Sequence, residues 1–268
     1  MPCPMSSDKV DSPRSLIIDF ETSPLIAYSW GPKYEANLLE IREQSKILSF
    51  SAKWLGGKHI TKGWPNYKGY KRGVADDASI VAEIWKLINE ANIVIGQNLR
   101  DFDIKVANAR FLFHGMKPPS PYKMVDTKIE AKKYLRLPSN SLDDLSAYFG
   151  LGRKQEHEGF PLWTKCLSGD KVAWKKMLSY NRHDVILTEK LYLKLRPFMS
   201  SHPNVGMFTD KLVCPKCGSG KIQARGFEVT KTMRYQRYQC QSCGSWGRET
   251  FNVNADMPDT TKPIISVQ

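Results

Sequence analysis

The sequence predicts an α/β domain, in which a mixed β-sheet is flanked by helices, followed by a small β domain that carries four cysteines. Short apolar runs typical of strands alternate with helical stripes as far as about residue 200. Beyond His202-Pro203-Asn204 the composition shifts to cysteine, glycine, cations and aromatic residues. Hydrophobic residues make up 41% of the 268 residues, which excludes a wholly disordered chain.

The composition divides the chain into five segments. Residues 1–13 mix proline, serine and charge without periodicity and are predicted to be a disordered leader. The α/β domain occupies 14–200, a linker 201–210, and the cysteine-bearing domain 211–253. The remaining residues, 254–268, lack a core pattern and are predicted to be a flexible tail.

Three strands open the α/β domain. Leu16-Ile17-Ile18 is an apolar run typical of a buried strand. Two further β-like runs, Lys46 to Leu55 and Lys58 to Trp64, are separated by Gly56-Gly57. The pattern predicts a meander of three antiparallel strands.

Helices and short strands then alternate. Asp76 or Asp77 can cap a helix whose apolar residues recur at helical spacing, and a strand over Ile93 to Ile95 follows it. A helix over Phe102 to Phe113 and a strand over Tyr122 to Val125 come next. The last part is predicted to be helical, with a capped helix from Ser141 and segments at Lys171–Leu178 and Asn181–Leu195.

The formal charge of +13 and the pI near 9.4 indicate a polyanionic partner. Nucleic acid is the first expectation and an anionic membrane surface the second. No apolar run approaches the roughly 18 residues that span a bilayer, and the first residues lack the pattern of a signal peptide. We therefore expect no membrane partner and a cytoplasmic protein, in a bacterium or a phage-infected host.

Three acidic motifs occur in order along the chain. Asp19 and Glu21 close the first strand, two residues apart, and therefore project to the same side of it. Asn98 and Asp103 follow the Ile93–Ile95 strand, with Asp103 in the first turn of the next helix. Tyr180 and Asp184 are spaced by four, which places them on one face of a helix.

Each motif alone has an ordinary explanation, such as a polar strand end, a helix cap or a surface tyrosine. Their order and their structural contexts together predict that Asp19, Glu21, Asp103 and Asp184 meet. Four carboxylates and one phenol are what is needed to hold two divalent cations over a scissile phosphate. The leading hypothesis is a metal-dependent nuclease.

These motifs, written Asp19-Phe-Glu21, Asn98-Leu-Arg-Asp-Phe-Asp103 and Tyr180-Asn-Arg-His-Asp184, resemble the three exonuclease motifs of the DEDD superfamily, which has a ribonuclease H-like fold. Tyr180, four residues before Asp184, resembles the tyrosine subclass. The similarity is strongest to proofreading domains of family B DNA polymerases and to stand-alone phage or bacterial relatives. It covers about Ser15 to Leu195.

The resemblance implies a 3′–5′ exonuclease that releases nucleoside monophosphates with two Mg²⁺ or Mn²⁺ ions. By this resemblance Asp19 bridges both ions, Glu21 and Asp184 complete the site of the ion that activates water, and Asp103 supports the second ion. Tyr180 would position the nucleophile. Asn98 would order the second motif's loop or touch the terminal nucleotide. A DNA polymerase or another replication or repair protein is a candidate partner.

Two Cys-x-x-Cys pairs, Cys214 with Cys217 and Cys240 with Cys243, are each followed by glycine. Two such pairs joined by a loop that a β-hairpin can bridge are typical of a structural zinc site. A thioredoxin-like redox pair is the alternative, but neither pair has a βαβ context. The segment resembles a zinc ribbon with one Zn²⁺.

The ribbon segment is rich in cations and aromatic residues. Cations can hold a phosphate backbone while aromatic rings stack on unpaired bases. We expect it to contact single-stranded nucleic acid or 3′ ends through Arg225, Arg234, Tyr235 and Arg237. The alternative is that its aromatic residues form the ribbon's own small core.

The sequence leaves other functions open. DNA is favoured over RNA only through the likeness to proofreading domains. A structure-specific endonuclease could use the same metal site, and a non-catalytic nucleic-acid adaptor could be recruited through the ribbon. Asp126, Asp143 and Asp144 are acidic residues that could be mistaken for metal ligands.

Overall fold

The computed structural model describes residues 12–30 and 38–255. They form two compact units, Arg14–Leu193 and the part of the chain that follows from Lys194. The leader predicted for residues 1–13 falls almost wholly outside the described residues. The predicted tail, 254–268, does so beyond its first two residues.

The first unit is built around one sheet with helices. Its elements in chain order are β1 (Ser15–Thr22), β2 (Ile26–Tyr28), β3 (Glu40–Glu43), β4 (Ile47–Trp54), β5 (His59–Gly63), α1 (Ala78–Asn89), β6 (Ile93–Gly96), α2 (Asp103–Phe113), β7 (Lys123–Asp126), α3 (Thr127–Tyr134), α4 (Leu142–Tyr148), α5 (Phe160–Leu167) and α6 (Lys171–Leu195). A 3₁₀ turn, Trp64–Asn66, follows β5.

The main sheet has the strand order β5-β4-β1-β6-β7. β1 pairs antiparallel with β4, and β4 with β5, which confirms the predicted meander. β6 and β7 run parallel to β1, so the sheet is mixed, as predicted. β1 is central, and its Leu16-Ile17-Ile18 run is 0% exposed because both faces of the sheet are covered.

Several features differ from the sequence prediction. The segments Lys171–Leu178 and Asn181–Leu195, predicted as separate helices, form the single helix α6 of 25 residues. No glycine or proline interrupts that stretch, so nothing in it ends a helix before Pro197. The short hairpin of β2 and β3 was not predicted, because its strands are only three and four residues long and largely exposed.

Asp77 occupies the predicted capping position of α1, but its side chain does not cap the helix. Its carboxylate instead accepts hydrogen bonds from Arg110 Nη2 at 2.6 Å and Nε at 2.7 Å, from His114 at 2.8 Å and from the Ile47 amide at 3.0 Å. The neighbouring Asp76 accepts from the Ala78 amide. Asp77 therefore ties α1 and α2 to the start of β4.

The second unit contains two 3₁₀ turns, Arg196–Phe198 and Val205–Phe208, and the strands β8 (Ile222–Val229), β9 (Arg234–Cys240) and β10 (Trp246–Arg248). These strands form an antiparallel sheet in the order β10-β9-β8. Within the described residues, no helix combines the length and the apolar character needed to cross a bilayer.

Candidate active site and cysteine cluster

Carboxylates from the first and third motifs meet at one point. Asp19 and Glu21 project from the same face of β1, and Asp184 reaches them from α6. One oxygen from each of the three residues lies within 4.8 Å of the others. Glu21 and Asp184, which are 163 positions apart in sequence, therefore lie close enough to bind the same cation.

Asp103 lies beside this group, in the first turn of α2 as predicted, and is 2% exposed. Its Oδ1 accepts a hydrogen bond of 2.9 Å from the amide of Phe20, the residue between Asp19 and Glu21. It is not one of the three residues whose oxygens share the 4.8 Å cluster. Burial, and then the charge of Asp19, raise its pKa well above the usual range, so it belongs to the same electrostatic unit.

Burial and mutual repulsion raise the pKa values of the four carboxylates. Burial, followed by the nearby Asp184, raises the pKa of Asp19 to about 7. Burial also raises the pKa of Glu21 and of Asp184. Asp184 Oδ1 is buried and has no hydrogen-bond partner in the described part of the chain. A buried acceptor in an all-oxygen cluster fits a hard divalent cation such as Mg²⁺ or Mn²⁺.

Tyr180 lies one turn before Asp184 on α6 and is 7% exposed. The Lys154 ammonium lies over its ring, 4.8 Å from the ring centroid, and the ring of His157 lies edge-on at 4.7 Å between centroids. Burial, reinforced by the Asp184 charge, raises the pKa of Tyr180 to about 12. The phenol therefore stays protonated near neutral pH and is fixed in orientation beside the cluster.

Lys154 is a member of the site that the sequence analysis missed. Its Nζ lies 2.7 Å from Asp184 Oδ2 and 4.8 Å from the centroid of the Tyr180 ring. Burial acts against the ammonium ion, but Asp184 outweighs this and raises the pKa of Lys154. Nothing in the local sequence marks Lys154 among 40 lysines and arginines, because its position depends on the fold alone.

The loop that carries Lys154 is held at several points. Asp143 accepts hydrogen bonds from the Lys154 amide and the Arg153 guanidinium, both at 2.8 Å. His183, next to Asp184 in sequence, is 2.8 Å from the Arg153 carbonyl. A cleft of about 520 Å³ lies against this loop and is lined by Asp143, residues 153–157 and Tyr180. The loop thus presents Lys154 both to the carboxylates and to an open cleft.

Asn181 was also missed, although a signal was present, since it lies three residues before Asp184 on the same helix. It is fully buried, and its Nδ2 donates to Asp19 Oδ2 at 2.6 Å. Its Oδ1 accepts from the Ser49 hydroxyl on β4 at 3.3 Å. Asn181 therefore fixes the orientation of the Asp19 carboxylate.

The loop of the second motif is ordered by Asn98 and Asp126. Asn98 is the only described non-glycine residue with a positive φ, 59°, a conformation that asparagine tolerates well. Asp126 accepts from the amides of Asn98 and Arg100 and also caps α3. Lys128 donates to Asn98 Oδ1 at 3.2 Å. Asp126 is therefore structural, and the position of Asn98 supports a role in ordering the loop.

The four cysteines of the second unit form one cluster, with their Sγ atoms within 4.8 Å of one another. Cys214 and Cys243 are 3.7 Å apart, and Cys217 and Cys240 are 3.6 Å apart. Four thiolates about 2.3 Å from a tetrahedral zinc would lie roughly 3.8 Å apart, so the spacing fits this ion. Although burial opposes it, Ser245 donates to Cys243 Sγ and lowers the pKa of that thiol to about 7.

The four ribbon residues expected to bind substrate differ in their exposure and in their contacts. Arg225 and Arg237 are exposed. Arg234 stacks on Phe227, with 3.7 Å from its guanidinium carbon to the ring centroid. Tyr235 is only 9% exposed and lies under the Arg248 guanidinium, 3.8 Å from the ring centroid, so its ring offers no free stacking face.

Comparison with known proteins agrees with this architecture. A family model described as the RNase_H superfamily matches residues 39–196, which include Asp103, Tyr180 and Asp184. The family B DNA polymerase from the hyperthermophilic archaeon Pyrobaculum calidifontis is similar in structure, with a TM-score of 0.52 and 17% identity. The match covers 69% of this chain and 25% of the polymerase, and at 17% identity it supports the fold alone. No curated protein matches the sequence significantly.

Proposed function

This chain belongs to the RNase_H superfamily, and from that premise we propose that it is a two-metal-ion 3′–5′ exonuclease. It hydrolyses phosphodiester bonds of single-stranded or frayed nucleic acid and releases nucleoside monophosphates. The observation that carries the proposal is the convergence of Asp19, Glu21 and Asp184 within 4.8 Å, beside the buried Asp103. DNA is the favoured substrate, on the likeness of the motifs to proofreading domains.

Asp19, Glu21, Asp103 and Asp184 would hold two Mg²⁺ or Mn²⁺ ions, which when bound lower the pKa of water and stabilise the leaving 3′ oxygen. The fully buried Asn181 keeps one Asp19 oxygen engaged, so that the carboxylate presents a fixed edge. The protonated Tyr180 hydroxyl orients the attacking water by hydrogen bonding.

Lys154 has two successive roles in this proposal. Without cations it neutralises Asp184 directly, across 2.7 Å. Once Asp184 is engaged by a metal, the Lys154 ammonium can turn toward the cleft and pair with a substrate phosphate. This places a positive charge beside the bond that is cleaved.

The cysteine cluster is proposed to bind one structural Zn²⁺, because four thiolates at this spacing match its tetrahedral geometry. The ribbon would hold the single-stranded substrate. A DNA polymerase or another replication or repair protein remains the proposed partner.

A time course on end-labelled oligonucleotides tests the exonuclease proposal. With 5′-labelled single-stranded DNA and Mg²⁺, we expect a ladder that shortens stepwise from the 3′ end. Asp19→Ala should abolish it while binding persists. Asp101→Ala is the matched control, because Asp101 lies inside the second motif but is exposed, and among the described residues its ion pair is with Lys105; turnover should be unchanged.

The same assay separates the alternatives. Cleavage of circular or 3′-blocked strands would show an endonuclease, and binding without Mg²⁺-dependent turnover would show an adaptor. A parallel series with RNA of the same sequence tests the preference for DNA. Equal shortening of RNA would remove that preference, and faster shortening of RNA would reverse it. Neither result would contradict the proposed metal site.

Tyr180→Phe tests the proposed role of the phenol. Loss of the hydroxyl should lower kcat by about 10- to 100-fold, because the attacking water loses an orienting group. The affinity for the strand should stay the same, since the ring and its packing against His157 remain. A change in KM with constant kcat would instead assign Tyr180 to substrate binding.

A further inference from the structure

The ribbon sheet has one face that carries polar and aromatic side chains in a continuous array. Alternation along β9 places Tyr235, Arg237 and Gln239 on the same side. On β10, Trp246 and Arg248 lie opposite Gln239 and Arg237, and on β8 Gln223 lies opposite Gln239. Glu228 on β8 lies opposite Tyr235 and shares this side. We call this the tryptophan face, made of Gln223, Glu228, Tyr235, Arg237, Gln239, Trp246 and Arg248.

The opposite face is covered near the cysteines by the ribbon's own chain. Ile222 and Tyr238 line an apolar groove there, together with Val213 and Pro215. Gly247 faces Pro215 so closely that an added Cβ would lie 3.3 Å from the proline Cγ. Near the cysteines this face therefore forms the small core of the ribbon, whereas Trp246 on the tryptophan face is 44% exposed.

The chemistry of the tryptophan face is that of a stacking platform with cations around it. Trp246 lies on the edge strand β10 and is 44% exposed. The Arg237 guanidinium is 4.7 Å from the Trp246 ring centroid. Arg248 covers Tyr235, which holds this arginine in place at the surface. Gln223 and Gln239 add amide groups that can both donate and accept hydrogen bonds.

The ribbon segment carries an excess of positive charge, which is complementary to a polyanion. Residues 211–253 contain eight lysines and arginines against two glutamates. One of these, Glu228, is 3.4 Å from Arg248, and the other accepts a hydrogen bond from Tyr238. The excess of cations on and around the sheet is therefore not neutralised by the ribbon's own acids.

We propose that the tryptophan face binds single-stranded nucleic acid by stacking an unpaired base on Trp246, with Arg237 and Arg248 contacting the adjacent phosphates. This deepens the proposed function by naming the surface that holds the strand. It also revises the expected residues, because Trp246 replaces the buried Tyr235 as the stacking ring. Arg234 serves the other face, against Phe227.

An unpaired base fits this face better than an acidic peptide does. A peptide carboxylate could pair with the arginines, but it would leave the exposed indole without a partner. Base–aromatic stacking uses the ring and does not depend on sequence. A duplex would keep its bases inside and contact only the cations.

The test is fluorescence anisotropy with the full chain and a labelled oligothymidylate, without added magnesium or manganese so that no cleavage occurs. Trp246→Ala should weaken binding by about ten-fold or more. Phe227→Ala is the matched control, because Phe227 is also an arginine-covered, part-exposed ring but lies on the other face; it should bind as wild type does. Trp246→Phe, which keeps a ring, should recover most of the affinity.

Two further arms separate stacking from charge. On an abasic strand of the same length, Trp246→Ala and wild type should bind equally. Arg237→Ala should weaken binding to both strands and reduce the slope of log affinity against log salt by about 0.7. Zinc content is measured for every variant, so that an unfolded ribbon is recognised.

Three results would overturn the inference: equal losses for Trp246→Ala and Phe227→Ala, the same Trp246→Ala loss on the abasic strand, or competition by polyglutamate as effective as by oligothymidylate. Because the assay measures binding without turnover, its failure is distinct from failure of the exonuclease proposal. An active nuclease with no role for Trp246 would refute only this inference.

Discussion

Replacing Lys154 by methionine removes the only described cation that pairs directly with Asp184, at 2.7 Å. Removing one partner of a buried ion pair costs about 3–5 kcal/mol. The Lys154 side chain is 32% exposed and that of Asp184 is 3% exposed, so water can compensate in part, and we expect about 1–3 kcal/mol without divalent cations. For a chain of this size the loss corresponds to a decrease in Tm of roughly 3–10 °C.

Saturating Mg²⁺ should remove most of this deficit, because the metal then neutralises the same carboxylate. The assay is thermal unfolding near neutral pH, with and without Mg²⁺, for wild type and Lys154→Met. Lys176→Met is the control, since Lys176 forms an exposed ion pair with Glu158 and with none of the four carboxylates, and it should show no metal-dependent change. A Lys154→Met deficit that is equal with and without Mg²⁺ would show that Lys154 acts by packing its loop and not by neutralising Asp184.

Three other perturbations test separate parts of the account. The pKa of Asp19 is raised to about 7. Protonation of Asp19 therefore stabilises the metal-free folded protein. This stabilisation is fully present at acid pH and is lost as pH rises through 7. Asp19→Asn should therefore be more stable than wild type by on the order of 2 kcal/mol above that pH and equal to it in acid; parallel pH profiles in urea titrations would contradict this. Arg110→Ala leaves Asp77 buried without its bidentate partner and should cost about 3–5 kcal/mol, measured by chemical denaturation; a loss below about 1 kcal/mol would refute the buried ion pair. The double change of Cys214 and Cys240 to serine should eliminate bound zinc and unfold the ribbon, and an unchanged zinc content would exclude the cluster as the site.

The sequence predicts those parts of the site that follow from local periodicity. Alternation along a strand puts Asp19 and Glu21 on one side, and helical spacing pairs Tyr180 with Asp184. The apolar run at Leu16–Ile18 predicts the central strand, because only a strand covered on both faces tolerates such a run. The paired Cys-x-x-Cys spacing likewise predicts the cysteine cluster.

Contacts that depend on the tertiary fold could not be predicted in this way. Lys154 lies in a glycine-containing loop without periodicity, and tertiary contacts of that loop with Asp143 and His183 hold it beside Asp184. The composition of the ribbon segment favours Tyr235 as a stacking residue, but the pairing of β9 and the Arg248 side chain bury it. Burial of aromatic residues in so small a domain depends on sheet faces that the sequence alone does not assign.

The central claim is that Asp19, Glu21, Asp103 and Asp184 jointly hold two divalent cations. Anomalous diffraction from a crystal soaked in Mn²⁺ measures this directly. We expect two manganese peaks, one contacted by Asp19, Glu21 and Asp184 and the other by Asp19 and supported by Asp103, with the first lost in Asp184→Asn. Absence of manganese from this cluster at saturating concentration would contradict it.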